Sequence, residues 1–252
     1  MSTVPASSSP TPAFSSYPVR RVSWSGDEVP PGAWWARVPV VEQVLRDGWE
    51  PAQLNVLVGE NGAGKSTLVE AVAIAFGLGA EGGSTGSTHS TRPTEPGLAE
   101  CLRLARGAGA PRGGFFLRAE TMHSFYTYLE DHPGARGEPV FHEMSHGESF
   151  LSLVGDRMWR RGLYVLDEPE SALSFTGCLA LVAHLHRMVT TTDAQVLLAT
   201  HSPILAALPG ATIWEVGEWG MRECAWEDLD LVIHWRGFLD DPRRYLRHVL
   251  ED

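Results

Sequence analysis

Short apolar runs alternate with segments of helical periodicity along most of the chain. Three of these runs are uninterrupted, as in buried parallel strands: QLNVLVG (Gln53 to Gly59), LYVLDE (Leu163 to Glu168) and QVLLAT (Gln195 to Thr200). In the segments between them, apolar residues recur every three to four positions, which is typical of amphipathic helices. Buried strands that alternate with helices predict an α/β fold with a mainly parallel sheet flanked by helices.

The remaining segments predict further elements around this sheet. Strands are expected at VRRVSW (Val19 to Trp24) and GGFFLRAE (Gly113 to Glu120), and ATIWEVG with GMRECAWED is expected to form an antiparallel hairpin. Helices are expected in VPVVEQVLRD, LVEAVAIAFGL, GLAECLRLARG, ETMHSFYTYLED, ESFLSLVGDRMWRR, SALSFTGCLALVAHLHRMV and DPRRYLRHVLED. The polar, glycine-rich stretch from Glu81 to Thr94 is expected to be a loop. A small helical lobe is also expected at about residues 80 to 160.

The composition bounds the domain count and the class of partner. With 43% hydrophobic residues, a chain of 252 residues can bury a substantial core as a single domain. Residues 1–16 are rich in Ser, Thr and Pro and are expected to be a disordered tail, which leaves residues 17–252 for the domain. The formal net charge of -11 disfavours a protein that coats nucleic acid or an anionic membrane through bulk charge, although a local basic groove stays open.

Cysteine usage and hydropathy indicate the compartment. The three cysteines, Cys101, Cys178 and Cys224, lie far apart and form no metal-binding pair, which favours free thiols in a reducing environment. No apolar run approaches the roughly 18 to 20 residues needed to cross a bilayer, and the N-terminus lacks the basic start and apolar core of a secretory signal. We therefore expect a cytoplasmic protein.

A single lysine marks the candidate chemistry. The 20 basic residues are 19 arginines and Lys65, and Lys65 lies in GENGAGKST between a predicted strand and a predicted helix. This segment fits the phosphate-loop pattern Gly-x-x-x-x-Gly-Lys-[Ser/Thr], in which backbone N–H groups surround phosphate, a compact ammonium contacts the β- and γ-phosphates and a hydroxyl binds Mg²⁺. A chance glycine-rich turn is the alternative, and the strand–loop–helix context disfavours it. The predicted nucleotide-binding residues are Gly59, Glu60, Asn61, Gly62, Ala63, Gly64, Lys65, Ser66 and Thr67, with Ser66 also a metal ligand.

Polar residues at two further strand ends are expected to complete the site. Asp167 and Glu168 end an apolar strand, and His201 follows another. Ligands bind at the carboxyl ends of strands in open α/β sheets, so Asp167 is predicted to hold Mg²⁺ and Glu168 to orient or deprotonate the attacking water. The strand before His201 is expected to lie next to the Asp167 strand, so His201 is predicted to reach the γ-phosphate, sense it and hold that water. An acidic strand end before a proline turn, and a structural histidine, are the alternatives.

The order of these motifs resembles the ATP-binding-cassette (ABC) class of ATPases. The resemblance rests on GENGAGKS, FFLRAE, MSHGES before a helix, LYVLDEPE with SALS, and ATHSP, and it runs from about Tyr17 to the C-terminus. In SHGES, Ser145 and Gly147 agree with the Leu-Ser-Gly-Gly-Gln signature, whereas His146 and Glu148 replace Gly and Gln. The resemblance implies that this segment binds the γ-phosphate of ATP held by a second protomer; Ser145 with Glu148 also fits an ordinary helix capping box. Glu120 stands where the class usually carries the Gln of the Q-loop, and SALS lacks the terminal Asp common in transporter subunits.

More narrowly, the motifs are similar to those of small bacterial stand-alone AAA-family ATPases. The resemblance implies an ATP- and Mg²⁺-dependent ATPase that works as an ATP-bound homodimer, similar to the heads of chromosome-maintenance, recombination and overcoming-lysogenisation proteins but without a coiled coil. Two other functions stay open: the nucleotide-binding subunit of an ABC transporter, which would need a separate membrane partner, and a P-loop kinase of a small molecule. DNA or an unidentified protein also stays open as a partner.

Overall fold

A computed structural model of the chain describes residues 17–79, 83–84, 97–119 and 146–250. The expected tail at residues 1–16 and the expected helix ETMHSFYTYLED lie outside the described residues. Strands in the described parts are β1 (Arg21–Trp24), β2 (Leu54–Val58), β3 (Gly83–Ser84), β4 (Leu102–Ala105), β5 (Gly114–Arg118), β6 (Leu163–Asp167), β7 (Gln195–Thr200), β8 (Thr212–Gly217) and β9 (Gly220–Glu223).

Over the described residues, these strands form a central sheet of seven strands in the order β3-β5-β6-β7-β2-β8-β9. The strands from β5 to β8 in this order are mutually parallel, whereas β3 and β9 pair antiparallel at the two edges. Separately, β1 and β4 form a two-stranded antiparallel sheet. The predicted α/β fold with a mainly parallel sheet and an antiparallel hairpin is confirmed.

Helices flank the sheet and connect its parallel strands. They are α1 (Pro39–Asp47), α2 (Lys65–Phe76), α3 (Gly97–Glu100), α4 (His146–Arg157), α5 (Phe175–Thr191), α6 (Pro203–Ala206), α7 (Asp230–Asp240) and α8 (Pro242–Leu250). Short 3₁₀ turns lie at Trp34–Arg37, Pro169–Ala172 and Trp226–Asp228. No helix of the described residues combines the length and the apolar composition that crossing a membrane requires.

The central strands are buried on both faces, which explains their uninterrupted apolar runs. All residues of β2, β6 and β7 are buried. Alternate strand residues enter two cores, because successive side chains of a strand point to opposite faces. Val56 and Leu198 pack with α4 and α5 on one face, whereas Leu57 and Leu197 pack with α1 and α2 on the other.

Three parts of the chain differ from the prediction. Gly83–Ser84, within the expected loop from Glu81 to Thr94, form β3 and pair with β5 at the edge of the sheet. GLAECLRLARG is not one helix, because α3 spans only its first four residues and Leu102–Ala105 form β4, which pairs with β1. In this strand Leu102 is buried and Arg103 is exposed, an alternation that fits pairing at an edge better than a helix. The helix α7 was not predicted. The boundaries of the lobe at about residues 80–160 stay a prediction, since residues 85–96 and 120–145 lie outside the described part, and β5 within that range belongs to the central sheet.

Candidate functional site

The candidate site lies at the carboxyl edge of the three central strands. Since β6, β7 and β2 are parallel neighbours, Val58 is level with Thr200, and Asp167 is level with Ala199. The segments that follow these strands start with the phosphate loop, Glu168 and His201. The register therefore brings together the three motifs that the sequence singled out.

The phosphate loop depends on glycine at three positions. Gly62 and Gly64 have φ of +80° and +96°, a left-handed conformation that favours glycine. A Cβ at Gly59 would collide with the carbonyl oxygen of Val216 on β8, and one at Gly64 would collide with Val38. Glu60 and Asn61 are exposed in the loop, and Ala63 and Thr67 are partly buried. The loop leads directly into α2, whose N-terminal end favours an anion.

Lys65 is the first residue of α2 and is only 2% exposed. Its Nζ donates to the carbonyl oxygens of Gly59 and Glu60, each at 2.9 Å, and lies 3.1 Å from Nε2 of His201. Burial lowers the pKa of Lys65, and the negative charges of the neighbouring Glu168 and Asp167 oppose that shift. The ammonium is thus held inside the loop, where a planar guanidinium would need more room.

Ser66 and Asp167 form the part of the edge that suits a magnesium ion. Ser66 Oγ donates to Asp167 Oδ1 at 2.8 Å, and Asp167 is 3% exposed. Burial raises the pKa of Asp167 to about 6, against the hydrogen bond from Ser66 and the charge of Arg118, which lower it. A hydroxyl and a carboxylate fit Mg²⁺, because this ion prefers oxygen ligands and keeps most of its shell for water and phosphate. Within the described parts, no cluster of three or more His, Cys, Asp or Glu could cage a metal.

Glu168 has a backbone conformation that is costly for a side chain of its kind. Its φ is +49°, and it is the one non-glycine residue with positive φ among those that the structure describes. Its N–H donates to the carbonyl oxygen of Ala199 at 2.9 Å, and its own carbonyl accepts from Ser171 Oγ at 2.9 Å. These bonds hold the turn and direct the Glu168 carboxylate toward His201, whose Nε2 lies 2.7 Å from Glu168 Oε1.

His201 Nε2 therefore faces two charged groups of opposite sign. In a neutral imidazole, a ring nitrogen either donates a hydrogen bond or accepts one. Nε2 can therefore donate to Glu168 in one tautomer or accept from Lys65 in the other. If both ring nitrogens carry a proton, Nε2 can only donate, and it then pairs with Glu168 and not with Lys65. A hydrogen bond from His201 to Glu168 therefore excludes one from Lys65 to the same nitrogen.

Two further charged residues were given no role in this site from the sequence. Glu170 Oε1 accepts from the backbone N–H of His201 at 2.5 Å, so this acid holds the turn after β7. Arg118 ends β5 beside Asp167 and lies 3.6 Å from its Oδ2. Both lie within motifs named in the sequence analysis, FFLRAE and LYVLDEPE, but the roles predicted for those motifs fall on Glu120, Asp167 and Glu168.

The signature segment and the Q-loop candidate lie only partly in the described residues. Gly147 and Glu148 lie in the first turn of α4, close to the 3₁₀ turn Pro169–Ala172 that follows β6. Ser145 and Glu120 lie outside the described residues, as does the side chain of His146. Their roles stay predictions.

Comparisons with known proteins concern the family and the fold. Residues 50–100 match a family model described as an AAA domain, a range that contains β2, the phosphate loop and α2. No curated protein is significantly similar to the chain. The family match and the α/β architecture confirm the resemblance to P-loop ATPases that the motifs predicted.

Solved structures with partial similarity include two ABC transporter proteins and one SMC head domain. An inward-facing metal-chelate type ABC transporter has a TM-score of 0.42 at 15% identity, covering 72% of this chain and 76% of that chain. The SMC head domain from Thermotoga maritima has a TM-score of 0.41 at 12% identity, covering 71% and 93%. The cbiO1 protein of Clostridium perfringens, part of the ABC transporter complex cbiONQ, has a TM-score of 0.42 at 14% identity, covering 81% and 89%. The fold assignment rests on the strand order and phosphate loop described above rather than on these scores.

Proposed function

We propose that the chain binds ATP with Mg²⁺ at the carboxyl edge of the sheet and hydrolyses it to ADP and phosphate. The observation that carries this proposal is the Glu168–His201 pair, which lies beside the Ser66–Asp167 pair and the phosphate loop. A binding site alone has no need for a carboxylate held at positive φ next to a histidine, whereas hydrolysis needs a group that accepts a proton from water.

The residues divide the work as follows. The loop from Gly59 to Thr67 binds the phosphates through its N–H groups, with Lys65 against the terminal ones. Ser66 and Asp167 hold Mg²⁺, which neutralises charge on the phosphates when bound.

The two residues after the strand ends act on water. Glu168 orients the attacking water and accepts its proton, while the water oxygen forms the new bond to the γ-phosphorus and the bond to the ADP oxygen breaks. His201 holds the same water and contacts the phosphate that leaves.

The signature segment requires a second chain in this proposal. Ser145, together with Gly147 in the first turn of α4, binds the γ-phosphate held by the other protomer, so two copies close head to tail over two ATP molecules. Hydrolysis removes the γ-phosphate and reopens the pair. The proposal of closure rests on the resemblance to ABC-class ATPases. In it, residues 17–252 of each copy act as a single domain.

Glu168→Gln tests both parts of the proposal. The amide keeps the size of the side chain but does not accept the proton, so we expect release of free phosphate to fall at least about 100-fold with ATP affinity retained. In light scattering with ATP and Mg²⁺, the variant should have twice the 27.5 kDa mass of one chain. Glu218→Gln, in the exposed turn between β8 and β9, is the matched control and should behave as the wild type.

Each outcome contradicts a different part of the proposal. A Glu168→Gln variant that stays monomeric with ATP would overturn closure of the homodimer. Unchanged phosphate release would remove Glu168 from its role. A wild type that releases no free phosphate, but phosphorylates an added acceptor, would identify a kinase.

A further inference from the structure

Arg118 occupies a position that links the metal-binding edge to α2. It is the last residue of β5 and is level with Asp167, the last residue of β6. Its Nη1 donates to Glu70 Oε2 at 2.9 Å, and its Nε lies 3.6 Å from Asp167 Oδ2. The guanidinium therefore lies between two carboxylates that belong to different elements.

The two oxygens of Asp167 face different partners. Oδ1 accepts from Ser66 Oγ, and Oδ2 faces Arg118. At 3.6 Å the contact with Arg118 is an ion pair and longer than a hydrogen bond. Together with the hydrogen bond from Ser66 to Oδ1, its charge attraction favours one rotation of the carboxylate.

The contacts close into a ring of side chains. Ser66 and Glu70 are four residues apart on α2, and so lie on the same face of that helix. The ring runs from Ser66 to Asp167, to Arg118, to Glu70 and back along one helical turn. It joins the ends of β5 and β6 to the first two turns of α2, the helix that follows the phosphate loop.

The charges of this ring are less screened by water than those of a surface ion pair. The side chains of Arg118, Glu70 and Asp167 are 22%, 20% and 4% exposed. Asp167 lies near the like charges of Glu168 and Glu70, and Arg118 opposes their effect. A planar guanidinium reaches both carboxylates at once, which a point-charged ammonium does less well.

We propose that Arg118 is a positioning residue of the magnesium site, which orients Asp167 for the metal, and that Glu70 holds Arg118 in place. This inference rests on the proposed function, because Asp167 is a metal ligand only if the edge binds Mg²⁺ with ATP. Arg118 acts through Asp167 and does not contact the metal.

The test measures how nucleotide binding depends on Mg²⁺ in Arg118→Gln, Arg118→Lys and Glu70→Gln. The probe is a fluorescent ATP analogue, titrated in EDTA and then at increasing Mg²⁺, with phosphate release measured over the same range. For Arg118→Gln we expect the Mg²⁺ concentration at half-effect to rise about 10- to 100-fold, while affinity in EDTA stays within about twofold. Arg118→Lys should recover part of the loss, and Glu70→Gln should show a smaller rise of the same kind.

Arg161→Gln is the matched control. Arg161 pairs with Asp193 at 3.2 Å, and both side chains are about half exposed, so its loss should leave the Mg²⁺ dependence unchanged. Thermal unfolding without nucleotide shows whether each variant is folded. If Arg118→Gln does not fold, Arg118→Lys and Glu70→Gln carry the test, because both keep a polar side chain of similar length.

The outcomes separate the inference from the proposed function. Equal losses of affinity in EDTA and in Mg²⁺ would mean that Arg118 only supports the fold, and an unchanged Mg²⁺ dependence in all three variants would also overturn the inference. A wild type that binds the analogue no better with Mg²⁺ would overturn the metal site of the proposed function, and the inference with it. Wild-type binding that responds to Mg²⁺, with variants that do not differ from it, overturns the inference alone.

Discussion

At the carboxyl edge of the sheet charged side chains are buried, whereas on α7 and α8 large apolar side chains are exposed. Lys65 and Asp167 are 2% and 3% exposed, but Leu239 and Leu250 are 72% and 74% exposed. Burying a charge costs free energy unless partners compensate for it, so the edge keeps its charges for a reason other than stability. Exposed apolar side chains contribute little to the folding of this chain. We therefore expect substitutions at the edge to alter binding and stability strongly, and exposed positions of α7 and α8 to tolerate change.

The largest expected effect is that of Lys65→Arg on ATP binding. The substitution keeps the charge, but the guanidinium does not fit where Nζ now contacts the carbonyls of Gly59 and Glu60. We expect ATP affinity to fall at least about 100-fold, or about 3 kcal/mol. Titration with a fluorescent ATP analogue measures it.

The control for Lys65→Arg is a substitution on α7. Arg236→Lys changes an exposed basic residue of α7 and should leave ATP affinity unchanged. Wild-type affinity in Lys65→Arg would mean that the loop does not hold phosphate in the way proposed.

The next effect concerns the stability of the metal-free protein. Since the pKa of Asp167 is raised to about 6 in the folded state, the folded protein binds this proton more tightly than the unfolded chain does. Stability from this group is therefore greatest below about pH 4 and is lost as the pH rises to about 6, by roughly 3 kcal/mol. Asp167→Asn mimics the neutral acid. In EDTA it should raise the free energy of unfolding at pH 7 by about 2 to 3 kcal/mol, with little change at pH 4.

Urea unfolding of wild type and variant at both pH values measures this difference. Asp240→Asn, at the exposed C-terminal end of α7, should change the free energy of unfolding by no more than about 0.5 kcal/mol at either pH. If Asp167→Asn destabilises the protein at pH 7, the contacts with Ser66 and Arg118 outweigh the cost of burying the charge. The charge of Asp167 at the sheet edge would then stabilise the fold, contrary to the comparison drawn above between this edge and α7.

The comparison also shows why some features could be predicted from the sequence. The phosphate loop combines a glycine pattern, a lysine and a strand–helix context, and all of these are local in sequence. The uninterrupted apolar runs predicted β2, β6 and β7 because a strand buried on both faces needs apolar residues at every position. The expectation that β7 lies next to β6 is confirmed by the register, whereas the contact between His201 and Glu168 was not predicted.

Other features depend on contacts between residues that are distant in sequence. Arg118 and Glu170 lie within the motifs FFLRAE and LYVLDEPE, but their contacts with Asp167 and with the N–H of His201 join residues far apart in sequence, which the motifs do not reveal. The segment that forms β4 has no strand signal of its own, because its pairing partner, β1, lies about 80 residues earlier in the chain. The helix α7 was missed since its apolar residues lie on exposed as well as buried positions, which weakens the periodic pattern.

The smallest effects are expected within α7, where one helix carries both kinds of apolar side chain. Val232 is 1% exposed and packs in the core with Leu229, whereas Leu239 is 72% exposed. Val232→Ala removes two buried methyl groups and leaves a cavity, so we expect the free energy of unfolding to fall by about 2 kcal/mol. Leu239→Ala removes a larger group but should cost less than about 0.5 kcal/mol, because that group is mostly in water already. Urea unfolding of both variants without nucleotide measures the difference. If both variants lose the same free energy of unfolding, Leu239 is covered in solution. The contrast between an exposed apolar surface on α7 and the buried charges at the sheet edge would then be wrong.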